Sequence, residues 1–315
     1  MIILPIAKSP VCAEGNARAA DFRFARKGSS MLATVRCPYF LKALAYSTPI
    51  GVLAGLVGLG GGEFRLPVLM HVIGFGARSA IPLNLVVSFV ALAFALATRS
   101  HAVPLTDLAP HLPAIAGLLC GGVASAIYGA RMVHRLSDAR LVQFIALLLA
   151  GLGLLLLAEG IFSGGQSAWL PTNAALHFGV GALIGIGVGV VSSILGVAGG
   201  ELLIPALMLV FGADIKTAGS ASAMISLAVV AAGLWRHHAM GALALGRGAR
   251  RIVASMCIGS TIGAIAGGLA IAYAPGDMLK LVLGCVLVAA AIKVVVTKRA
   301  EARNPRTADK RRDRR

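Results

Sequence analysis

The chain encodes an all-α protein that passes repeatedly through a membrane, built from two related halves, and three observations lead there. Of its 315 residues, 58% are hydrophobic and only 13% are charged, a balance that suits lipid better than water as the surrounding solvent. The apolar residues come in runs near the roughly 20 residues that a helix needs to cross a hydrocarbon core of about 30 Å. Sliding the chain by 138 positions lays Gly58, Gly61, Gly62, Glu63, Pro67, Leu69, Met70 and Gly74 on Gly196, Gly199, Gly200, Glu201, Pro205, Leu207, Met208 and Gly212. That register continues without a gap through Ser88 and Ser226, Gly121 and Gly259, Gly129 and Gly267, and Leu141 and Leu279, which marks a duplication.

Residues 1–42 read as a cytoplasmic, partly disordered extension. They lack the basic-then-apolar order of a signal peptide, and Met31, followed by Leu-Ala-Thr-Val-Arg, reads as the true start. The first repeat is expected over 43–158. It opens with an apolar run at 41–59, interrupted by Pro49 and several glycines, followed by a short apolar piece at 64–75 and full spans at 80–98, 112–130 and 141–158. An extracytoplasmic linker, 159–173, leads to the second repeat, 174–297, with spans at 174–198, 216–235, 252–273 and 278–297 and a short piece at 202–211. Each half is thus a broken, Gly-rich first helix, a short half-helix and three full helices. Residues 298–315 read as a basic, disordered cytoplasmic tail held against anionic headgroups.

The short pieces decide the topology. About twelve residues of helix reach only some 18 Å; counted as crossings they make five per half and an inverted pair, and left out they make a parallel pair. Lysine and arginine favour the cytoplasmic side. Five crossings from a cytoplasmic N-terminus put Arg131, Arg135 and Arg140 inside and their counterparts around Pro275 and Asp277 outside. The loop near Arg99 then lies outside and its partner, with Arg236, Arg247, Arg250 and Arg251, inside. The expectation is therefore inverted repeats in the inner (cytoplasmic) membrane, both termini cytoplasmic.

The formal charge of +17 does not indicate nucleic acid, because the basic residues gather at the two ends and in loops and form no recognised binding module. Cys12, Cys37, Cys120, Cys257 and Cys285 show no paired spacing for a disulfide framework or a zinc site. His71 has no histidine mate, and His237 and His238 sit by Arg236 at a helix end; no metal or other cofactor is called for. Gly117, Gly121, Ser125 and Gly129, like Gly259, Gly263 and Gly267, recur every four residues and read as flat faces for close helix packing.

The chemistry is expected at the breaks. Of twelve acidic residues, only Glu63 and Glu201 fall inside apolar segments, at equivalent places in the two copies. Each follows a glycine run, 58–62 or 196–200, and precedes a proline by four residues. Glycine lets the first helix break, and the short helix that follows presents free N–H groups and a positive dipole end inside the protein. Two such broken helices related by a repeat point to the central site of a transporter. Gly60, Gly61, Gly62, Gly199 and Gly200 would offer amides to an anion. Glu63 and Glu201 are either proton carriers or gates, or groups that satisfy the break. Asn84 with Ser222, and Ser88 with Ser226, lie in repeat register, four residues apart and so on one helix face; with Ser220 they either line the pathway or bond neighbouring helices. Arg65, matched by Leu203, reads by default as a snorkelling surface charge or a partner for a carboxylate, with anion contact the lesser reading. An intramembrane serine protease is the rival class, with Ser220, Ser222 and His237 available, but no Gly-x-Ser-Gly elbow accompanies them.

At Gly-Leu-Gly-Gly-Gly-Glu-Phe-Arg-Leu-Pro (58–67), Gly-Val-Ala-Gly-Gly-Glu-Leu-Leu-Ile-Pro (196–205) and Lys-Thr-Ala-Gly-Ser-Ala-Ser (216–222) the chain resembles the sulfite exporter TauE/SafE family, grouped with toluene sulfonate uptake permeases. The resemblance spans about 43–297 and implies transport, without enzymatic chemistry, of a small anion such as sulfite, sulfoacetate or a related sulfonate. The first copy carries Arg-Ser-Ala-Ile-Pro-Leu-Asn at 78–84 in place of the second copy's run, so a symmetric site is not expected. An anion leaving an inside-negative cell gains about 2.3 kcal/mol per charge per 100 mV, which favours export; uptake would need protons or another coupled ion.

Overall fold

The computed structural model describes residues 38–75, 77–101, 103–132, 147, 150–158, 160–161, 170–171, 173–195, 197–239 and 247–303. Several sequence expectations lie outside the described residues: most of the N-terminal extension, Arg135, Arg140, most of the inter-repeat linker, Gly196 and most of the basic tail.

Every regular element among the described residues is helical. The first repeat runs through α1 (Pro38–Val57), α2 (Gly62–Pro67) continued by a wider π turn (Val68–Val72), α3 (Ala77–Arg99), the single turn α4 (Leu105–Leu108) with a tight turn (Ala109–His111), and α5 (Leu112–Met132). Residues 150–158 are helical too. The second repeat supplies α6 (Ala174–Leu195), α7 (Gly200–Leu209), α8 (Ile215–Ala239), α9 (Arg247–Ala270) and α10 (Gly276–Arg303). By length and composition, Phe40–Val57, Ser79–Arg99, Thr106–Ile127, Ile215–Ala239 and Ala249–Ala270 can each cross a membrane. The run expected at 174–198 is shorter as a helix because α6 stops at Leu195, before the second glycine stretch. Local capping sets two of the starts: Asn173 Oδ1 accepts the Ala175 N–H at 3.0 Å, and Asp214 Oδ1 accepts the Lys216 N–H at 2.7 Å. Large apolar side chains such as Leu183 (71% exposed) and Trp235 (66%) point outward, a surface that hydrocarbon covers.

The two halves interlock through the small residues. Gly259, Gly263 and Gly267 of α9 lie against Leu44, Thr48 and Val52 of α1, and Gly117, Gly121 and Gly185 lie against Phe178, Ala182 and Leu118 across the α5–α6 interface. A Cβ at Gly259 would stand 2.8 Å from the Leu44 carbonyl oxygen, so bulk on this face would force the helices apart. Where Gly117 meets Phe178, the equivalent Ser255 donates to the Phe40 carbonyl at 2.7 Å. Each repeat thus hands its first helix to the other, and within each pair the residue numbers rise together, so the helices are parallel.

The mates α3 and α8 run in opposite directions. Arg99, at the end of α3, reaches Lys216 and Ser220 at the start of α8, while Leu85, near the start of α3, comes within 3.7 Å of a Cβ built on Gly233, near the end of α8. By contrast α3 is parallel to α1: Ala80 shares an apolar cluster with Ala43, and Arg99 bonds Gly55 and Leu56. The chain must therefore turn back between α1 and α3. It does so through α2, whose N-cap Gly61 lies beside Ile50, and the π turn that continues it, whose Leu69 shares an apolar cluster with Ala43. Ile50 is about 18 Å along α1 from Pro38, so the return begins alongside the interior of α1 and not at its end.

Candidate functional site

The local chemistry of each break is the same. α1 ends at Val57 and α2 restarts after Gly61, whose φ of 62° is left-handed; α7 restarts after Gly199, φ 73°. A side chain in that conformation costs about 1–2 kcal/mol, so glycine is what permits the reversal. Neither N-cap has a side-chain hydrogen bond. Glu63 and Glu201 are each the second residue of their short helix, in the first turn where a carboxylate faces the positive dipole end. Glu201 is 8% exposed and Glu63 is half-buried. Both short helices close alike, with the Phe75 N–H on the Leu69 carbonyl (2.9 Å) and the Ala213 N–H on the Leu207 carbonyl (3.0 Å).

The two breaks touch. A Cβ on Gly60 would stand 2.5 Å from that of Ala198, one on Gly62 3.6 Å from the Val197 Cα, and one on Gly200 3.5 Å from the Gly58 carbonyl oxygen. The middle helices frame the junction in matching fashion: Asn84 Nδ2 donates to the Gly62 carbonyl at 3.0 Å, and Ser222 Oγ to the Gly200 carbonyl at 3.3 Å. Ser88 Oγ would lie 3.2 Å from a Cβ on Gly62, and Ser226 Oγ 3.4 Å from one on Gly200. Gly60, Gly61, Gly62, Glu63, Asn84, Ser88, Gly199, Gly200, Glu201, Ser222 and Ser226 therefore come together where the half-helices begin. Ser220 accepts a hydrogen bond from Arg99 Nε at 3.1 Å.

Two arginines depart from the expectations drawn from the sequence. Arg65 does not snorkel, and among the described residues it pairs with no carboxylate: it is fully buried, and Nη1 donates to Ser88 Oγ at 3.0 Å. Its Nε and Nη2 have no hydrogen-bond partner among the described residues. Helical side chains lean toward the N-terminus, which folds Arg65 back over the first turn of α2 instead of out to lipid. Arg99, counted in the sequence as lying next to an outer loop, is also fully buried. It donates from Nε to Ser220 Oγ (3.1 Å), from Nη1 to the carbonyls of Gly55 (3.0 Å) and Leu56 (2.8 Å), and from Nη2 to that of Lys216 (2.8 Å). It caps the end of α1 and ties it to α8, a role whose only trace in the sequence is a cation in the last turn of an apolar helix.

Arg236, half-buried near the end of α8, donates from Nη1 to the Ala126 carbonyl at 3.3 Å. The residues a protease would use are separated. Ser220 and His237 sit at opposite ends of α8, about 25 Å apart along its axis, and Ser220 and Ser222 are bonded to Arg99 and Gly200.

A family model described as Sulfite exporter TauE/SafE matches residues 22–157 and 180–315. A search of curated proteins and a search of solved structures each found no match.

Proposed function

The chain belongs to the sulfite exporter TauE/SafE family, a family of membrane transporters for sulfur anions, and from that premise we propose that it carries a sulfur oxyanion or organosulfonate out of the cell through the junction of its two glycine breaks. The observation that carries this reading is the contact between the breaks, Gly60 on Ala198 and Gly58 on Gly200. Broken backbone at membrane depth is tolerated where it lines a protein-enclosed path. Two repeat-related half-helices that start from one point give such a path a shared floor, with the first-turn amides after Gly61 and Gly199 turned to an anion.

The halves are inverted across the bilayer, with five passes each counting the half-helices and both termini in the cytoplasm. The opposed directions of α3 and α8, and the return of the chain through α2, support this. In that arrangement α2 leads from the junction toward one membrane face and α7 toward the other, as alternating access requires. Residues 43–158 and 174–297 form the two repeats, joined by an extracytoplasmic linker at 159–173; 1–42 and 298–315 lie on the cytoplasmic side. Asn84, Ser88, Ser222 and Ser226 hold the half-helix starts and line the path, and Glu63 and Glu201 are the groups through which a proton gradient would couple.

The test is sulfite flux from proteoliposomes with the potential clamped by a potassium gradient and ionophore. An inside-negative potential is expected to speed efflux, each 100 mV being worth about 2.3 kcal/mol per charge. Sulfur-anion flux no faster than in protein-free vesicles would end the reading. Flux indifferent to potential would rule out a charged cargo travelling alone.

A further inference from the structure

We propose that Arg65 is the recognition group for the transported oxyanion, gripping two of its oxygens through the edge formed by Nε–H and Nη2–H. The proposal rests on the transport reading above and adds to it the atoms that select the cargo. Within a guanidinium, the Nε–H and the Nη2–H lie on one edge of the plane and point the same way, a fork that fits two oxygens bound to one central atom. These are the two nitrogens of Arg65 that have no partner among the described residues, while the third is pinned to Ser88 Oγ at 3.0 Å. The Ser88 bond fixes the plane, and the other edge, buried with the rest of the side chain, is left unbonded among the described residues. The guanidinium stays at the junction: Nη2 lies 3.0 Å from where a Cβ of Gly61 would stand, and Ser88 Oγ 3.2 Å from where one of Gly62 would.

A purely structural reading of Arg65 does not account for this. A buried cation is costly unless it is paired and fully hydrogen-bonded. Arg99, equally buried, meets that condition with all three nitrogens bonded; Arg65 does not. The fold has no need of charge at this point, because the equivalent residue of the second repeat is Leu203, 1% exposed in the core, and Ser226, in the place of Ser88, has an Oγ with no partner among the described residues. The repeat thus contains its own control. The cationic arm was added to, or kept in, one half alone, and an anion is what completes it. The class of ligand follows: a sulfite, sulfate or sulfonate group offers two oxygens at the required spacing, and a monatomic anion such as chloride does not.

The experiment uses the purified full chain in detergent, with the thermal midpoint followed in sodium sulfite, in a methanesulfonate salt and in chloride at equal ionic strength, together with sulfite flux in proteoliposomes. The variants are Arg65→Leu, which copies the second repeat, Arg65→Lys, and Ser88→Ala. Sulfite and methanesulfonate are expected to raise the wild-type midpoint above that in chloride. Arg65→Leu should melt in chloride at or above the wild-type temperature, since it removes an unpaired buried charge, yet weaken sulfite binding by about 10- to 100-fold, the range for charge-assisted hydrogen bonds. Arg65→Lys keeps the charge without the fork and should lose about tenfold, and Ser88→Ala should lose less than either. Arg65→Leu melting well below wild type in chloride would make Arg65 a structural residue and overturn the proposal. So would sulfite binding within twofold of wild type. If Arg65→Leu also transports sulfite at the wild-type rate, the proposal falls while the transport reading stands. A wild-type protein that neither binds nor moves any of these anions removes both.

Discussion

Replacing Arg99 with methionine tests whether a buried arginine with every nitrogen bonded is structural. The side chain bridges the end of α1, through the carbonyls of Gly55 at 3.0 Å and Leu56 at 2.8 Å, to the start of α8, through Lys216 at 2.8 Å and Ser220 at 3.1 Å. Methionine fills much of the volume and donates nothing. Three carbonyls then lose their donor, each worth about 1–3 kcal/mol when buried and unsatisfied, so the gross loss is about 3–9 kcal/mol. Relief from burying a guanidinium returns several kcal/mol of that, leaving a net destabilisation of about 3 kcal/mol. On the scale of soluble domains that is a fall in midpoint on the order of 5–10 °C. Unfolding in mild detergent can be followed with a thiol-reactive dye, since the half-buried Cys257 becomes reactive as the helices separate. Arg99→Lys should fall between wild type and Arg99→Met, having one charge and too few donors for four acceptors. A midpoint for Arg99→Met within 1 °C of wild type would refute the clamp, and with it the use of bond count to separate this arginine from Arg65.

Gly58→Ala is expected to cost about 2–5 kcal/mol, combining a left-handed backbone, about 1–2 kcal/mol, with overpacking, about 1–3 kcal/mol: Gly58 has φ 90°, and its Cβ would collide with the Gly219 carbonyl. A thermal midpoint equal to wild type would show that the break is not locked between the repeats. Glu63→Gln and Glu201→Gln should each hold stability to within about 1 kcal/mol, the value of a carboxylate at a helix start, because an amide still accepts hydrogen bonds. If either glutamate carries protons, its variant loses the response of sulfite flux to a pH gradient; an unchanged response in both assigns the pair to the helix ends.

The half-helices, the four-residue stripes and the pairing of Asn84 with Ser222 and of Ser88 with Ser226 were all legible in the chain, because each depends on residues close together or on a register that a repeat makes visible. Gly259, Gly263 and Gly267 pack against α1 as their spacing implies, and both short helices start at the second of the paired glycines. Ser220, read as lining the pathway or bonding a neighbouring helix, accepts a hydrogen bond from Arg99, a partner that sequence spacing does not reveal. Arg65 was ranked below the glutamates, because a single arginine in an apolar run ordinarily reaches for the interface.

The amino-acid order alone determined that this is a duplicated membrane protein with a break in each half, since run length, glycine placement and internal register are local or periodic properties of the chain. Only the tertiary structure decided which charges are satisfied. The acceptors of Arg99 come from residues 43 to 121 positions away, and the one hydrogen bond of Arg65 among the described residues is to a helix 23 positions on. Whether a buried cation is a strut or an open hand depends on how many such acceptors surround it, and that number exists only once the helices have packed.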